Sequence, residues 1–447
     1  MRTSLHVLLA LFVCLPVSTF AVTTIVKGSD ATKYVLRGKI VNASGAVLDG
    51  ELVIDRDTIV CVSADCPDPA GASILTITNA FIYPGFIDAH NHVAYNVLPK
   101  FTPPRLYMNR GQWQGARAYT EFKKPYNLLK DTEKLYCEMV KWGELKALMS
   151  GITAIQGTSP NQLCFKTLIR NVENQSELGT SGSHIRTFIL DIGSFHDKID
   201  FSVTKSFVVH LAEGIDDKSR NEFQTLKQKG LLRAETVIIH GTAFGDAEFA
   251  EMSKVGAKLV WSPQSNLALY GTTTDIALAV KHGVPVSLGV DWNPTGSDDI
   301  FGELRTAAEQ NADRFGSVIR DQDWLSMITT NPARALALDT SIGQLAPTFK
   351  ADITVLRAQG TDPHLTLLGS HLPDVEMVWV GGELLYGRAT ILQTLKPDQC
   401  ERITVRGSAH RICVVDTKDT VVKSNQTLAV IREKLQMAYP QLAPLVP

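Results

Sequence analysis

Short apolar runs alternate with polar, helix-forming segments through the middle of the chain. Residues 206–210, 236–241 and 284–291 are apolar runs rich in β-branched side chains, whereas residues 217–229 and 274–282 have helical composition. Strands that alternate with helices favour right-handed βαβ units, in which the strands lie parallel in one sheet. The middle of the chain therefore predicts an α/β fold built on a parallel sheet.

A side chain able to bind a metal ion closes each of these apolar runs. His210 and His240 end the first two runs, and Asp291 ends the third. An earlier apolar run ends at His90 and His92, which as residues i and i+2 of an extended strand point to the same side. Functional groups at the carboxyl ends of parallel strands are typical of a (β/α)₈ barrel, so this order predicts a TIM-like barrel.

Strand patterns without ligand-type side chains flank the barrel, which is expected to cover residues 81–344. Residues 22–80 and 345–391 read as short strands separated by turn signals. We expect them to form the N-terminal and C-terminal parts of one flanking β-sandwich. Residues 392–447 form a C-terminal extension to which the sequence assigns no role.

A long segment separates the first two predicted barrel strands. It covers residues 93–149 and follows the first strand, predicted over residues 82–90. Long loops at this face of a barrel shape a substrate pocket or a lid. Arg105 and Tyr107 in this segment, and Trp292 after the last strand, are candidate substrate-binding residues.

Length and charge limit the classes of function. With 447 residues, of which 44% are hydrophobic, the chain can bury a large core and is expected to hold two structural units. Its formal net charge of −2 does not favour nucleic-acid binding, which requires basic character. The expected partner is therefore a small-molecule substrate, and the formation of a homo-oligomer stays open.

The amino-terminal residues predict export. A basic start, an apolar run over residues 8–17 and a small-x-small site at residues 19–21 are typical of a secretory signal peptide, here residues 1–21. An uncleaved membrane anchor is the alternative, but the run is short for a transmembrane helix, and no stable membrane insertion is expected after cleavage. We expect a secreted protein, or one in the periplasm or another exported compartment.

Cysteine spacing agrees with an oxidising compartment. Of the seven cysteines, Cys14 lies in the predicted signal peptide, which leaves six in the mature chain. Their clustering suggests three disulfides, with free buried thiols as the alternative. The predicted pairs are Cys61–Cys66, Cys137–Cys164 and Cys400–Cys413.

The strand-end motifs together resemble those of the amidohydrolase superfamily. They are Pro-Gly-Phe-Ile-Asp-Ala-His-Asn-His at 84–92, His-Leu-Ala-Glu at 210–213, the histidine at 240, Ser-Pro-Gln-Ser-Asn at 262–266 and Gly-Val-Asp at 289–291. Within the superfamily the chain is similar to the branch of cytosine deaminases, guanine deaminases and triazine hydrolases. The resemblance extends over most of the mature chain, from Tyr34 to Tyr386.

The resemblance implies a metal-dependent hydrolase that acts on carbon–nitrogen bonds other than peptide bonds. His90, His92, His210 and Asp291 would hold one divalent cation, which lowers the pKa of bound water toward about 7. Asp291 would also accept a proton from that water. Zinc is expected first, and iron is the alternative because this ligand set suits either ion.

Two further residues are implied as acid–base partners. Glu213 would move a proton to a ring nitrogen or leaving group, and His240 would orient the water and polarise the substrate. The alternatives are that Glu213 is a solvated residue opening the next helix and that His240 is a structural histidine. Ser265 and Asn266 are expected to secure a loop.

The number of metal ions depends on the fourth barrel strand. Binuclear members of the superfamily use a carboxylated lysine at the end of that strand. The best match here, residues 184–191, has no lysine at its end, and Lys198 lies seven residues further on. One metal ion is therefore expected.

Three functions are consistent with these motifs. The first is hydrolysis of a carbon–nitrogen bond in a small heterocyclic or amide substrate, with deamination of a nucleobase-like ring as its most specific form. The alternative on the same site is an amide, carbamate or dipeptide-like hydrolase. A non-catalytic binding protein on a retained barrel is the third, and the filled ligand positions argue against it.

Overall fold

The structure is a computed structural model that describes most of the chain. It covers residues 21–157, 168–173, 178, 183–188, 192–194, 198–416 and 425–446. The predicted signal peptide, residues 1–21, lies outside the described residues except for its last position, and so does Cys164 of the predicted pair Cys137–Cys164. Within these ranges, none of the helices has the length and apolar character needed to cross a membrane.

The described elements are short strands and helices that alternate over much of the chain. The strands are β1 (Val22–Val26), β2 (Lys33–Val41), β3 (Val47–Asp55), β4 (Thr58–Ser63), β5 (Ser73–Pro84), β6 (Phe86–Asp88), β7 (Ile152–Ile155), β8 (Arg170–Asn171), β9 (Ile185–Phe188), β10 (Ser206–Leu211), β11 (Thr236–His240), β12 (Lys258–Trp261), β13 (Val286–Leu288), β14 (Ile353–Arg357), β15 (Val375–Val380), β16 (Glu383–Arg388), β17 (Glu401–Val405) and β18 (Ser408–Ile412). The α-helices are α1 (Arg110–Gln114), α2 (Arg117–Phe122), α3 (Lys124–Asn127), α4 (Tyr136–Met149), α5 (Asp217–Gln228), α6 (Asp246–Val255), α7 (Pro263–Tyr270), α8 (Ile276–Lys281), α9 (Ile300–Asp313), α10 (Asp323–Met327), α11 (Thr330–Ala335), α12 (Pro363–Gly369), α13 (Ala389–Leu395) and α14 (Leu428–Ala438).

In the described part of the chain, eight parallel strands lie between the N-terminal and C-terminal strands. β6, β7 and β8 form a three-stranded sheet, and β9 to β13 form a five-stranded sheet in chain order. The two sheets meet where β6 and β13 end, because Ala89 N donates to Leu288 O at 3.3 Å and Asp291 N donates to His90 O at 2.8 Å. The predicted α/β class is confirmed, and the carboxyl ends of β6 and β13 lie side by side.

The strands near both ends of the chain share one ten-stranded sheet. Its order is β17-β18-β16-β15-β14-β5-β2-β3-β4, with β1 paired to β5. The antiparallel pair of β5 and β14, with Pro84 opposite Ile353, joins the N-terminal strands to the C-terminal ones. The extension after residue 391 adds β17 and β18 to this sheet, a contribution that the sequence did not indicate.

A buried ion pair ties the ten-stranded sheet to the parallel strands. Arg170 in β8 donates from Nε to Asp352 Oδ2 at 2.7 Å, and both side chains are 3% exposed. Asp352 also accepts the backbone N–H of Gly381 at 2.7 Å. The charge of each group is thus compensated at the junction, as buried charges require.

The predicted first barrel strand over residues 82–90 is interrupted. β5 ends at Pro84 in the ten-stranded sheet, and β6 begins at Phe86 in the parallel sheet. Gly85 lies between them, where an added Cβ would fall 2.2 Å from Thr153 Oγ1 and 2.5 Å from Thr153 Cγ2. A glycine is therefore required where the chain passes from one sheet to the other.

Two of the predicted disulfides are confirmed. Cys61 in β4 is bonded to Cys66, and Cys400 is bonded to Cys413, with Cα atoms 6.2 and 4.1 Å apart. Both lie at edges of the ten-stranded sheet, where each closes a short loop. These bonds restrict the unfolded chain and so stabilise the sheet edges.

Candidate active site

The ligand-type side chains predicted from the strand ends come together in one place. His90 Nε2 lies 3.2 Å and His92 Nε2 lies 3.4 Å from Asp291 Oδ1. The ring of His210 is centred 4.6 Å from that of His90, and the ring of His240 is centred 5.4 Å from that of His210. The ends of β6, β10, β11 and β13 therefore form a single cluster.

Two of these residues have a strained backbone. His240 and Asp291 have φ angles of 72° and 66°, in the left-handed region that non-glycine residues rarely occupy. Asp291 is held there by hydrogen bonds on both sides, its N–H donating to His90 O at 2.8 Å and its C=O accepting from His92 N at 2.9 Å. Strain of this kind persists where the surroundings fix it and concentrates at functional sites.

The histidine cluster fits a divalent metal ion. The ligand atoms of His90, His92 and His210 lie within 4.8 Å of one another, and so do those of His90, His240 and Asp291. The Nε2 atom of His210 is buried and makes no hydrogen bond, and the buried Nε2 atom of His90 faces the Asp291 carboxylate oxygen, itself a ligand-type atom, at 3.2 Å. Since a buried polar atom needs a partner, these two nitrogens are the ones that a metal would satisfy.

The far sides of the same rings are anchored. His210 Nδ1 donates to Phe188 O at 3.1 Å, and His90 Nδ1 lies 3.4 Å from Gln156 Oε1. Because oxygen acceptors on Nδ1 place the proton there, Nε2 of each ring carries a free lone pair. An outer partner of this kind commonly orients a metal-binding histidine.

Electrostatics favour metal-binding protonation states at His210 and Asp291, whereas at His90 the effect of burial is outweighed by the Asp291 carboxylate, which raises the pKa of that ring. Burial lowers the pKa of His210 well below its usual value, and the neighbouring rings of His90 and His240 lower it further. Burial acts in the opposite direction on Asp291, but the His90 and His92 rings hold the pKa of its carboxyl well below the usual range. At neutral pH the site thus offers a neutral imidazole and an ionised carboxylate.

Glu213 lies beside the cluster with a carboxyl that can exchange protons. Its Oε1 accepts from the Tyr270 hydroxyl at 2.7 Å, and its Oε2 lies 3.7 Å from His240 Nε2 and 3.8 Å from Arg110 Nη1. Burial raises the pKa of Glu213 to about 7, although Arg110 acts against that increase. A carboxyl with this pKa can both give and take a proton at neutral pH.

His240 is neutral and held by hydrogen bonds. Burial lowers its pKa to about 3, although the Asp291 carboxylate acts against that decrease. Asn266 Nδ2 lies 3.1 Å from His240 Nδ1, and the Thr274 hydroxyl donates to the His240 carbonyl at 2.7 Å. Asn266, expected to secure a loop, therefore contacts the site, while Ser265 bonds Thr295 at 2.9 Å.

A cavity of about 490 Å³ opens beside these groups. Aromatic side chains form much of its wall, namely those of Tyr95, Trp113, Tyr119 and Trp292. Charged side chains line the rest, including Arg110, Lys123, Glu213 and Asp291. Such a combination of aromatic faces with charged and polar groups can bind and orient a small molecule.

The candidate substrate-binding residues occupy different places. Trp292 lines the cavity. Tyr107 is buried in an aromatic cluster with Trp113 and Tyr270, and Arg105 is exposed above the Tyr107 ring at 5.4 Å. Neither Arg105 nor Tyr107 is among the residues that line the cavity.

The sequence did not single out Arg110 and Tyr270. Arg110 reaches Glu213 because the long segment pairs with the loop after β10, through the bridge between Asn109 and Gly214 and the bond from Arg110 N to Glu213 O at 2.9 Å. No pattern in the sequence shows this pairing. Tyr270, by contrast, follows Asn266 by one turn of α7, so the motif at 262–266 could have indicated it.

Lys198 lies outside the described part of the fourth strand. β9 ends at Phe188, and Lys198 is exposed outside any described strand. The expectation of a single metal ion stays a prediction.

Comparison with known proteins agrees with this architecture. Residues 198–386 match the Amidohydrolase family model. A 5-methylthioadenosine/S-adenosylhomocysteine deaminase of Pyrococcus abyssi is 29% identical over 401 residues, which cover 75% of this chain and 89% of that one. Another from Desulfitobacterium hafniense strain Y51 is 24% identical over 396 residues, with 75% and 88% covered.

Solved structures show the same fold at lower identity. A mutant atrazine chlorohydrolase of Arthrobacter aurescens TC1, complexed with zinc and atraton, aligns with a TM-score of 0.62, 17% identity and coverage of 79% of this chain and 95% of that one. A zinc-bound adenosine deaminase of Xanthomonas campestris aligns with a TM-score of 0.57 and 17% identity, covering 78% and 92%. The chain therefore carries an amidohydrolase-family domain, and it is a hydrolase that acts on carbon–nitrogen bonds.

Proposed function

We propose that this protein deaminates an amino-substituted heteroaromatic ring of nucleobase type. Water would add to the ring carbon that bears the amino group, and the carbon–nitrogen bond would break to release ammonia and leave a ring carbonyl. The observation that carries this proposal is the buried carboxyl of Glu213, 3.7 Å from His240 and beside the histidine cluster. Two similar curated proteins are named as deaminases of adenine-containing compounds.

His90, His92, His210 and Asp291 would hold one divalent metal, with zinc expected and iron as the alternative. When bound, such an ion supplies Lewis acidity and lowers the pKa of bound water toward about 7. Two structurally similar proteins are described with zinc. The single ion rests on the absence of a lysine at the end of β9, whose four residues run from Ile185 to Phe188.

The protein's own groups divide the proton transfers among them. Asp291, ionised at neutral pH, would accept a proton from the attacking water. Glu213 would deliver its proton to the ring nitrogen and regain one from the added hydroxyl as the ring carbonyl forms, while Asp291 would pass the proton taken from water to the amino group, so that the carbon–nitrogen bond breaks and neutral ammonia leaves. His240 would donate a hydrogen bond from Nε2 to the oxygen that develops negative charge.

The cavity walls suit a planar ring. Trp113 and Trp292 lie with their ring centres 5.9 Å apart, and Tyr95 lies 5.5 Å from Trp292, stacked on Tyr126 at 3.9 Å. Aromatic side chains bind flat rings through offset and edge-on contacts. The volume of about 490 Å³ is in the range of pockets for small ligands.

A screen for ammonia release tests the proposal. The zinc-loaded protein would be incubated with amino-purines, amino-pyrimidines, their nucleosides and amino-triazines, beside a second panel of amides, carbamates and dipeptide-like compounds. We expect ammonia from at least one amino-heterocycle and none from the Glu213→Gln variant. Turnover of the second panel alone would replace deamination by the alternative amide or carbamate hydrolysis, and metal-replete protein inactive on both panels would favour a binding protein.

We also propose that the protein is exported and that its ten-stranded sheet corresponds to the expected flanking β-sandwich of the barrel. The disulfides Cys61–Cys66 and Cys400–Cys413 support an oxidising compartment. N-terminal sequencing of the protein recovered from its native host is expected to begin at residue 22. Recovery with Met1 retained would contradict export through a cleaved signal.

A further inference from the structure

A row of buried side chains leads from a tryptophan to the ring of His240. Trp261 Nε1 lies 2.7 Å from Thr273 Oγ1, and Thr273 Oγ1 lies 3.3 Å from Asn266 Oδ1. Asn266 Nδ2 in turn lies 3.1 Å from His240 Nδ1. We call this row the Trp261 chain; all four of its side chains are buried, so water competes little with these contacts.

The chemistry of the donors gives the Trp261 chain one direction. An indole N–H can only donate, so the Thr273 hydroxyl accepts from Trp261 and has one proton left to donate. Among the described residues, the acceptor for that proton is Asn266 Oδ1. The amide oxygen of Asn266 therefore faces Thr273, and its N–H faces His240 Nδ1. The opposite amide orientation would leave a buried hydroxyl proton without its acceptor.

We infer that Asn266 is a positioning residue that holds His240 in the tautomer protonated at Nε2. An amide N–H that donates to Nδ1 needs a lone pair there, which excludes a proton on Nδ1. The single proton of the neutral ring then lies on Nε2, the atom 3.7 Å from Glu213 Oε2. His240 thus presents a hydrogen-bond donor to the site.

In His210 the Nδ1 atom faces a hydrogen-bond acceptor instead of a donor, so the two rings are assigned different tautomers. His210 Nδ1 faces the Phe188 carbonyl oxygen at 3.1 Å, so Nδ1 carries the proton and Nε2 carries the lone pair. Distances alone do not separate the two rings, because the ligand atom of His240 also lies within 4.8 Å of those of His90 and Asp291. The partner of Nδ1 decides which ring offers a lone pair to a metal and which donates a hydrogen bond from Nε2.

The tautomer can be measured directly in the intact protein. In zinc-loaded protein labelled with ¹⁵N-histidine, long-range ¹H–¹⁵N spectra distinguish the protonated ring nitrogen from the unprotonated one. The signals of His240 are those lost in the His240→Gln variant. We expect the proton on Nε2 for His240 and on Nδ1 for His210. A proton on Nδ1 of His240 in the wild-type protein overturns the inference.

Variants of the Trp261 chain test its control of the ring. Asn266→Asp replaces the amide donor with an acceptor, so the proton of His240 should move to Nδ1. Because a hydrogen bond made in the transition state is then lost, kcat should fall at least about 100-fold, whereas KM should change less than about threefold. Thr273→Val removes the hydroxyl and should lower kcat about tenfold, whereas Thr273→Ser retains it and should preserve kcat.

Thr272→Val serves as the matched control, because the Thr272 hydroxyl accepts from the exposed Arg314 at 3.0 Å and lies outside the Trp261 chain. It should leave both kcat and the ring spectra unchanged. If Asn266→Asp does not fold, the wild-type spectra and the Thr273 pair still decide the question. An Nε2 proton on His240 in folded Asn266→Asp, or Thr273→Val with the kcat and spectra of the wild type, contradicts the inference.

The kinetic part rests on the proposed deamination, whereas the spectra do not. They are recorded without substrate and report only the position of a proton. Protein with the expected tautomer that releases no ammonia from any amino-heterocycle would remove the proposed function and leave the role of Asn266 standing. Ammonia release from protein in which His240 carries its proton on Nδ1 would support the proposed function and remove the role of Asn266.

Discussion

Replacing Glu213 with glutamine is expected to change the pH dependence of stability as well as activity. Burial raises the pKa of this carboxyl from its ordinary value of 4.5 to about 7 in the folded protein. A raised pKa in the folded state stabilises the protein fully below pH 4.5, and that stabilisation is lost as the pH rises through about 7. Glutamine does not titrate, so the variant should not show this loss.

The size of the effect follows from proton linkage. At 1.36 kcal/mol per pKa unit, the wild type should lose about 2.5 kcal/mol of unfolding free energy relative to Glu213→Gln between pH 5 and pH 8. The missing charge partner of Arg110 adds an offset, but linkage assigns the change with pH to the carboxyl that titrates. The wild type and Glu213→Gln are compared without metal, so that metal binding does not shift the folding equilibrium.

Urea unfolding of the chelator-treated, non-reduced protein at pH 5, 6, 7 and 8 measures the difference. Glu309→Gln on α9 is the control, because its exposed carboxyl is hydrated in both the folded and the unfolded chain. The stability difference for Glu309→Gln should stay constant across the series. A difference for Glu213→Gln that stays within about 0.5 kcal/mol from pH 5 to pH 8 refutes the argument that burial holds this proton.

Three further outcomes are expected. His210→Ala should abolish ammonia release, and elemental analysis should find less than a tenth of the metal content of the wild type. Full metal content in this variant would remove His210 from the ligand set. Asp352→Ala removes the buried carboxylate that accepts from Arg170 and from the Gly381 N–H, and should lower the unfolding free energy by about 3–5 kcal/mol in urea, so a loss below about 1 kcal/mol would contradict the coupling of Asp352 to Arg170. The double change Cys400→Ala and Cys413→Ala opens the loop that the disulfide closes and should lower the unfolding free energy by about 3 kcal/mol. The urea midpoint should therefore fall, and an unchanged midpoint would contradict a stabilising role for this disulfide.

The cluster of metal-binding side chains could be predicted because each ligand is marked locally. His210 and His240 follow uninterrupted apolar strands, and the register of parallel strands brings such ends together without knowledge of any loop. The interruption at Gly85, by contrast, leaves no local mark in the sequence. Phe81 to Ile87 is apolar throughout, because both flanking strands are buried, so no change of period marks the passage between sheets.

Arg110, one of the partners of Glu213, could not be predicted, because its position depends on a contact between distant segments. Arg110 lies on α1 in the long segment after β6, and its position is set by backbone pairing of Asn109 with Gly214. The strands β17 and β18 were missed for a related reason. β17 alternates exposed and partly buried positions at a sheet edge, and such a short pattern does not identify its partner.

The site combines two groups whose proton affinities are shifted in opposite directions by the same burial. Glu213 holds its proton more strongly than a free glutamate, and His240 holds a second proton less strongly than a free histidine, although their side chains are 3.7 Å apart. In water both shifts would vanish, so the fold sustains them at a cost in stability. A pair of this kind assigns one group to carry protons and the other to donate a hydrogen bond while neutral. A binding protein gains nothing from that pair, nor from the strained backbone of His240 and Asp291, so the cost itself argues for catalysis.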